Sequence, residues 1–207
     1  MYPFVHLHVH SQYSILDGAS SIPSLLDKAR DDQMKAVAIT DHGNLFGAKE
    51  FHNEAKSRGI KPVIGCEVYY AKRSRFDNTE KDDRSGFHMI LLAKNKTGYR
   101  NLIKLVSLAY IEGHYYKPRI DRELLEKWHE GLIVSSACLG GEIPSLILNG
   151  QYDKAEEVIR DFKQLSLQSL QVRNAGNFDP GYRICKYKIP EREVLLEYVL
   201  HLFGQGD

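Results

Sequence analysis

The stretch Phe4-Val5-His6-Leu7-His8-Val9-His10-Ser11 alternates imidazole with aliphatic side chains, and it holds three of the nine histidines in the chain. On a strand, successive side chains point to opposite faces, so Val5, Leu7 and Val9 would face a core while His6, His8 and His10 line the other side. Neutral imidazole is the commonest metal-binding side chain, and donors two residues apart on a strand converge in space. Further candidate donors follow at wide intervals: Asp17, His42, Glu67, His88 and Cys138. Asp17, His42 and Glu67 are each 25 residues apart, which corresponds to one βα unit per donor. Nitrogen, carboxylate and thiolate donors together suit zinc, with manganese or iron where imidazole and carboxylate dominate. So many donors imply several ions, and clustered ions support phosphoester hydrolysis.

Each residue taken singly also has an ordinary reading. His88 on an apolar strand reads as a hydrogen-bonded core histidine, Cys138 as a small buried hydrophobe, Glu67 as the partner of a lysine, and Asp17 before Gly18 as a turn residue. Asp41 is expected to orient His42 or to cap the helix that follows. His52, His129 and His201 fall on expected helices and receive no role. The case for a metal site rests on joint placement.

The elements that must do the placing are readable in outline. Ser20-Ser21-Ile22-Pro23 supplies capping hydroxyls and a proline at the start of a helix ending near Gln33. Ala36–Thr40 is a short apolar run, as in a strand buried on both faces. Asn44 is expected to cap a helix carrying Phe46, Ala48, Phe51 and Ala55 and stopping at Gly59. Strands are expected over Pro62–Tyr70, Phe87–Ala93 and Gly131–Ser136, with helices over Tyr99–Ile111, from Asp121 through Trp128, and over Tyr152–Gln164. Arg73–Arg84 reads as an exposed charged loop, and His114–Arg119 as an aromatic and basic loop. Strands alternating with helices imply an α/β fold of right-handed βαβ units around a parallel sheet. A closed or nearly closed barrel is favoured, because the polar outliers sit at the C-terminal ends of strands, where βα barrels hold their chemistry.

A chain of 207 residues can bury one substantial core. Its formal net charge of +1, from 28 basic and 27 acidic side chains, excludes a broad basic face, so any nucleic-acid contact would be local. No apolar run approaches the roughly 20 residues that span a bilayer, and the three cysteines are odd in number and widely spaced, so a cytoplasmic protein with reduced thiols and no membrane partner is expected.

Several of these motifs carry a family likeness. The runs from His6 to Gly18, Ile39 to Gly47 and Lys61 to Glu67, extended by Tyr116-Lys117-Pro118-Arg119-Ile120-Asp121 and Ser136 to Glu142, resemble the N-terminal PHP (polymerase and histidinol phosphatase) domain of bacterial replicative DNA polymerase III alpha subunits. The resemblance covers roughly Tyr2 to Gln164. It implies a distorted (β/α)7 barrel, incomplete here at its C-terminal end, with up to three ions of zinc and/or manganese. By motif position the ligands would be His8, His10, Asp17, His42, Glu67, His88 and Cys138, with His8, His10 and His42 catalytic through the bound metals. His6 stands where many relatives have aspartate and ranks with Asp41 as an accessory residue. Lys117 and Arg119 are candidate phosphate contacts.

The resemblance further implies a metal-dependent phosphoesterase or 3′–5′ exonuclease acting on DNA 3′ ends. The alternative is an inactive structural module of the replicase that holds other subunits, such as a proofreading exonuclease or a clamp. A free-standing histidinol-phosphate phosphatase is disfavoured by the polymerase-type motifs around Asp17 and Tyr116. The family's late Asp-x-His occurs nowhere in this sequence, and from about Leu165 the likeness stops. We therefore expect a barrel domain over residues 1–164 and a divergent tail over 165–207, with a helix near 191–203, as in a truncated or frame-shifted product. No palm, fingers or thumb motifs are present, so DNA synthesis by this chain is excluded.

Overall fold

The computed structural model describes residues 4–164 and 170–171. The helix expected near 191–203 lies outside the described residues.

Helix α1 (Ile22–Asp31) starts where the Ser21 hydroxyl accepts the amide of Ser24, with proline in its first turn, and it buries Ile22, Leu26 and Ala29. Strand β1 (Ala36–Ile39) leads through a buried turn to α2 (Ala48–Ser57), and β2 (Lys61–Tyr70) follows Gly59, whose φ of +70° closes the helix. Then come a short 3-10 turn (Lys81–Arg84), β3 (Phe87–Ala93), α3 (Lys96–Ile111), β4 (His114–Tyr115), β5 (Lys117–Ile120), α4 (Arg122–Trp128), β6 (Leu132–Ser135), α5 (Glu142–Leu148), α6 (Tyr152–Gln164) and β7 (Leu170–Gln171). Asn95 and Asp121 cap α3 and α4 by accepting the amides of Gly98 and Leu124.

One mixed sheet joins the strands in the order β4-β5-β2-β3-β6-β7, with β1 also on β2. The main core packs α3 and α4 on the sheet through Leu91, Leu102, Leu105, Ile120, Leu125 and Val134, while α1, α2 and β1 enclose Ile22, Leu26, Val37 and Phe51.

The architecture is the expected α/β arrangement of strands and helices, with corrections. The sheet is not all parallel: β1–β2, β2–β5 and β6–β7 run parallel, but β3 is antiparallel to both β2 and β6. The cause is the connection over residues 71–86, which holds no crossover α-helix; a parallel pair would need one. The His-rich stretch is also not a strand of the ladder. It runs beside β1, with the His6 and Val9 carbonyls accepting from Ala38 and Thr40 at 2.8 Å each, and a bend at Leu7-His8 separates these two bonds.

Asn44 does not cap α2. Its side chain accepts from Phe46 and donates to the Tyr13 and His42 carbonyls, which ties the turn after His42 to the N-terminal segment. The charged segment after β2 is not uniformly exposed: Arg75 and Asp83 are buried, Arg75 against Asp121 and Glu112, and Asp83 against Arg73. Residues 114–120 form a hairpin, not a loop, and α5 has no counterpart among the expected elements.

Candidate metal centre

Glu67 lies on β2 with its side chain 1% exposed, and four imidazoles surround its carboxylate. The Nε2 atoms of His8 and His10 both sit 2.8 Å from Oε2 and 3.0 Å from each other. His88 Nδ1, from the start of β3, is 2.7 Å from Oε1, because antiparallel pairing sets residue 88 opposite Tyr69 and turns its ring inward beside Glu67. His42, immediately beyond β1, places Nδ1 3.5 Å from Oε2 and Nε2 2.9 Å from Asp17 Oδ2. Cys138 Sγ, from the loop after β6, is 3.5 Å from His88 Nδ1 and 3.9 Å from Glu67 Oε1.

Three overlapping groups therefore bring donor atoms within 4.8 Å of one another: His8, His10 and Glu67; His10, Asp17 and His42; His42, Glu67 and His88. Six of the seven residues expected to converge fall in these groups, and Cys138 lies at their edge against His88 and Glu67. His6 stands apart from these groups, with its ring edge-on to Phe4 at 4.7 Å.

The loop between His10 and Asp17 is held by a hydrogen-bond chain that sequence reading missed. Buried Asp41 accepts from the Ser11 amide, the Ser11 hydroxyl and the Ser14 hydroxyl at 2.7, 2.8 and 2.7 Å. Asp41 thus acts on the loop before His42 and not on the His42 ring. With its one proton committed to Asp41, Ser14 Oγ accepts from the His42 amide at 3.1 Å and from His10 Nδ1 at 3.0 Å. This places the proton of neutral His10 on Nδ1 and turns the bare Nε2 lone pair toward Glu67. Ser14, four residues after His10 and just before Asp17, was findable from its spacing; Tyr69, whose buried ring stacks on His42 at 6.1 Å and meets His88 edge-on at 5.4 Å, was not.

Burial opposes ionisation of Glu67, yet the ring nitrogens of His10, His8 and His88 held against it keep its carboxyl far below the usual range. The Cys138 and Glu67 contacts raise His88 to about 10. In the buried space facing this carboxylate, His42 Nδ1 has no hydrogen-bond partner among the described residues. The bare Nε2 of His10 and the unpartnered Nδ1 of His42 both face one buried, ionised carboxylate, an arrangement that calls for positive charge between them, so the residues present fit a divalent cation.

Arg119 is not a phosphate contact. It is 2% exposed, and its guanidinium donates to the carbonyls of Gly113, Asp77, Asp83 and Arg75 at 2.6–3.0 Å, which pins the segment after β2 to the sheet. Lys117 instead rests over Tyr69, with Nζ 5.3 Å from the ring centre, at the edge of the cluster.

A family model described as the PHP domain matches residues 6–169. The chain belongs to the PHP domain family. Among curated proteins, this PHP domain is 54% identical over 163 residues to DNA polymerase III subunit alpha of Borreliella burgdorferi, covering 78% of this chain and 14% of that protein. It is 52% identical over 157 residues to the Thermus aquaticus subunit, covering 74% and 13%, and 46% identical over 211 residues to the Aquifex aeolicus subunit, covering 99% and 17%. The chain thus spans less than a fifth of the length of these relatives.

Among solved structures, a two-domain protein of Bacteroides vulgatus, described as containing a predicted PHP-like metal-dependent phosphoesterase, gives a TM-score of 0.39 at 15% identity over 63% of this chain and 33% of its own. An amidohydrolase of Chromobacterium violaceum gives 0.35 at 25% identity, over 49% and 32%. These likenesses are weak, and membership of the PHP family stands on the sequence. No helix among the described residues is long and apolar enough to cross a membrane.

Proposed function

We propose that this PHP domain hydrolyses phosphoesters with divalent metal ions, zinc and/or manganese, held by His8, His10, Asp17, His42, Glu67, His88 and Cys138. The single observation behind this reading is the convergence of ring nitrogens from His8, His10, His42 and His88 on the buried Glu67 carboxylate, with His42 Nδ1 buried and without a hydrogen-bond partner among the described residues. Three overlapping donor groups suit up to three ions. When bound, such ions lower the pKa of water and neutralise charge building on phosphoryl oxygens.

The residues themselves do the positioning. Glu67 supplies the buried negative charge, Ser14 and Asp41 fix the tautomer of His10, and Tyr69 walls one side of the cluster. Lys117, over Tyr69, would meet a substrate phosphate. The DNA polymerase III relatives favour a DNA 3′ end as substrate and 3′–5′ exonuclease action as the reaction, with other replicase subunits as partners. Purified chain given manganese or zinc should release nucleotides from a labelled 3′ end, and the His8→Ala, His10→Ala double variant should not. Absence of release from the metal-loaded wild type would overturn the reading.

A second reading, an inactive structural module of the replicase, is favoured by the missing Asp-x-His. Metal analysis of freshly purified protein separates the two, since an inactive scaffold needs no stoichiometric ion.

A further inference from the structure

At the tip of the β4–β5 hairpin, Tyr116 is the single residue between the paired Tyr115 and Lys117, and its φ is +59°. A bulky side chain in this left-handed region is strained, and glycine would turn the chain there without cost. The tyrosine ring at this strained position is 63% exposed, so the core does not account for it. It meets Tyr115 edge-on at 4.9 Å, and the guanidinium of exposed Arg84 lies 5.0 Å from its centre.

The hairpin leads directly to the metal centre. Lys117 follows Tyr116 and rests on Tyr69, which stacks on His42 and meets His88. Pro118 packs against Gly43, where φ is +61° and an added Cβ would come within 2.9 Å of the proline ring and 3.2 Å of Tyr69. A continuous line therefore runs from the exposed Arg84–Tyr116 pair through Lys117 and Tyr69 to His42.

Alternating cations and aromatic faces suit one class of ligand above others. An unpaired nucleic-acid strand offers a phosphate for each cation and a base for each ring, whereas the bases of a duplex are already stacked. A small phosphate ester seated at Glu67 would need nothing as far out as Tyr116. We propose that Tyr116, with Arg84 and Lys117, is a stacking platform that holds an unpaired nucleotide outside the metal centre and guides a single strand into it. This rests on reading the cluster as a phosphoesterase site, and it assigns Tyr116 a positioning role, with no part in the bond-breaking step.

The test uses the full 207-residue chain and a fluorescein-labelled oligothymidylate, followed by anisotropy at low salt with chelator present, so that binding is read apart from hydrolysis. Tyr116→Ala should weaken binding about 5- to 150-fold, the range for loss of one base–aromatic stack. Tyr116→Gly should weaken it as much while raising the melting temperature, because the strain is relieved; a merely structural tyrosine would not separate these effects. Tyr116→Trp should restore binding, and Arg84→Gln and Lys117→Gln should each shallow the salt dependence. Wild-type affinity in Tyr116→Gly, or equal affinity for the single strand and its duplex, would overturn the proposal. Tight single-strand binding that needs Tyr116, without hydrolysis when metal is restored, would keep the platform and remove the phosphoesterase reading.

Discussion

Ser14 Oγ donates to Asp41 Oδ1 over 2.7 Å, and this bond decides which nitrogen of His10 carries its proton. Ser14→Ala removes the acceptor for His10 Nδ1 and frees the ring to take the other tautomer. Groups that orient metal-binding histidines typically govern affinity by 10–100-fold, so zinc affinity should fall by about that factor in Ser14→Ala. Competition against a chromophoric chelator measures it, and Ser14→Thr, which keeps the hydroxyl, should recover most of the loss.

Metal should stabilise the fold as well as activate it. Because the donors come from segments far apart in the chain, the unfolded protein lacks the assembled site. Free ion at 100 times its dissociation constant should then add about 2.7 kcal/mol of stability. Thermal melts with and without chelator read this directly, and the difference should vanish in the His8→Ala, His10→Ala variant.

The metal-free protein should also show a defined acid limb. Glu67 has its folded-state pKa lowered by its histidine neighbours against the opposing effect of burial. The stability it confers is therefore present above the ordinary carboxylate pKa of about 4.3 and is lost as pH falls below that value. His88 has the opposite sign: raised to about 10 by Cys138 and Glu67, it stabilises below about 6.5 and loses its contribution as pH climbs toward 10. Denaturant midpoints across pH should show both limbs, and Glu67→Gln should flatten the acid one.

Arg119→Leu should destabilise the chain by about 3 kcal/mol or more, since the carbonyls of Gly113, Asp77, Asp83 and Arg75 lose a shared buried donor, at roughly 1–3 kcal/mol for each group left unsatisfied. KM for a phosphoester measured on the folded fraction should stay unchanged, in contrast to Lys117→Ala, where KM should rise.

Much of the centre was legible because metal donors must be particular residue types, and a βα framework spaces them regularly. His8, His10, Asp17, His42 and Glu67 carried that signal, and the elements from Ile22 to Tyr70 largely form where their periodicity sets them. The reversal of β3 was not legible, since an apolar strand reads the same in either direction and only the missing helix over 71–86 hinted at it. Arg119 misled for a related reason. Its charge suggests phosphate, but whether an arginine reaches solvent depends on the backbone carbonyls around it, which carry no sequence signature. The Tyr115–Lys117 turn escaped notice because a tyrosine occupies a position where glycine or asparagine normally announces a bend.

Because β3 returns antiparallel to β2, with Phe87 paired to Tyr70, residues 71–86 begin and end at the same rim of the sheet, beside His88. Arg75, Asp77 and Asp83 tie this excursion back to the sheet, and the residues between these ties face solvent for the most part. The fold thus separates an adjustable porch from a fixed furnace: substitutions outside the anchors Arg75, Asp83 and Arg119 should reshape the approach to the cluster while Glu67 and His88 stay paired across β2 and β3.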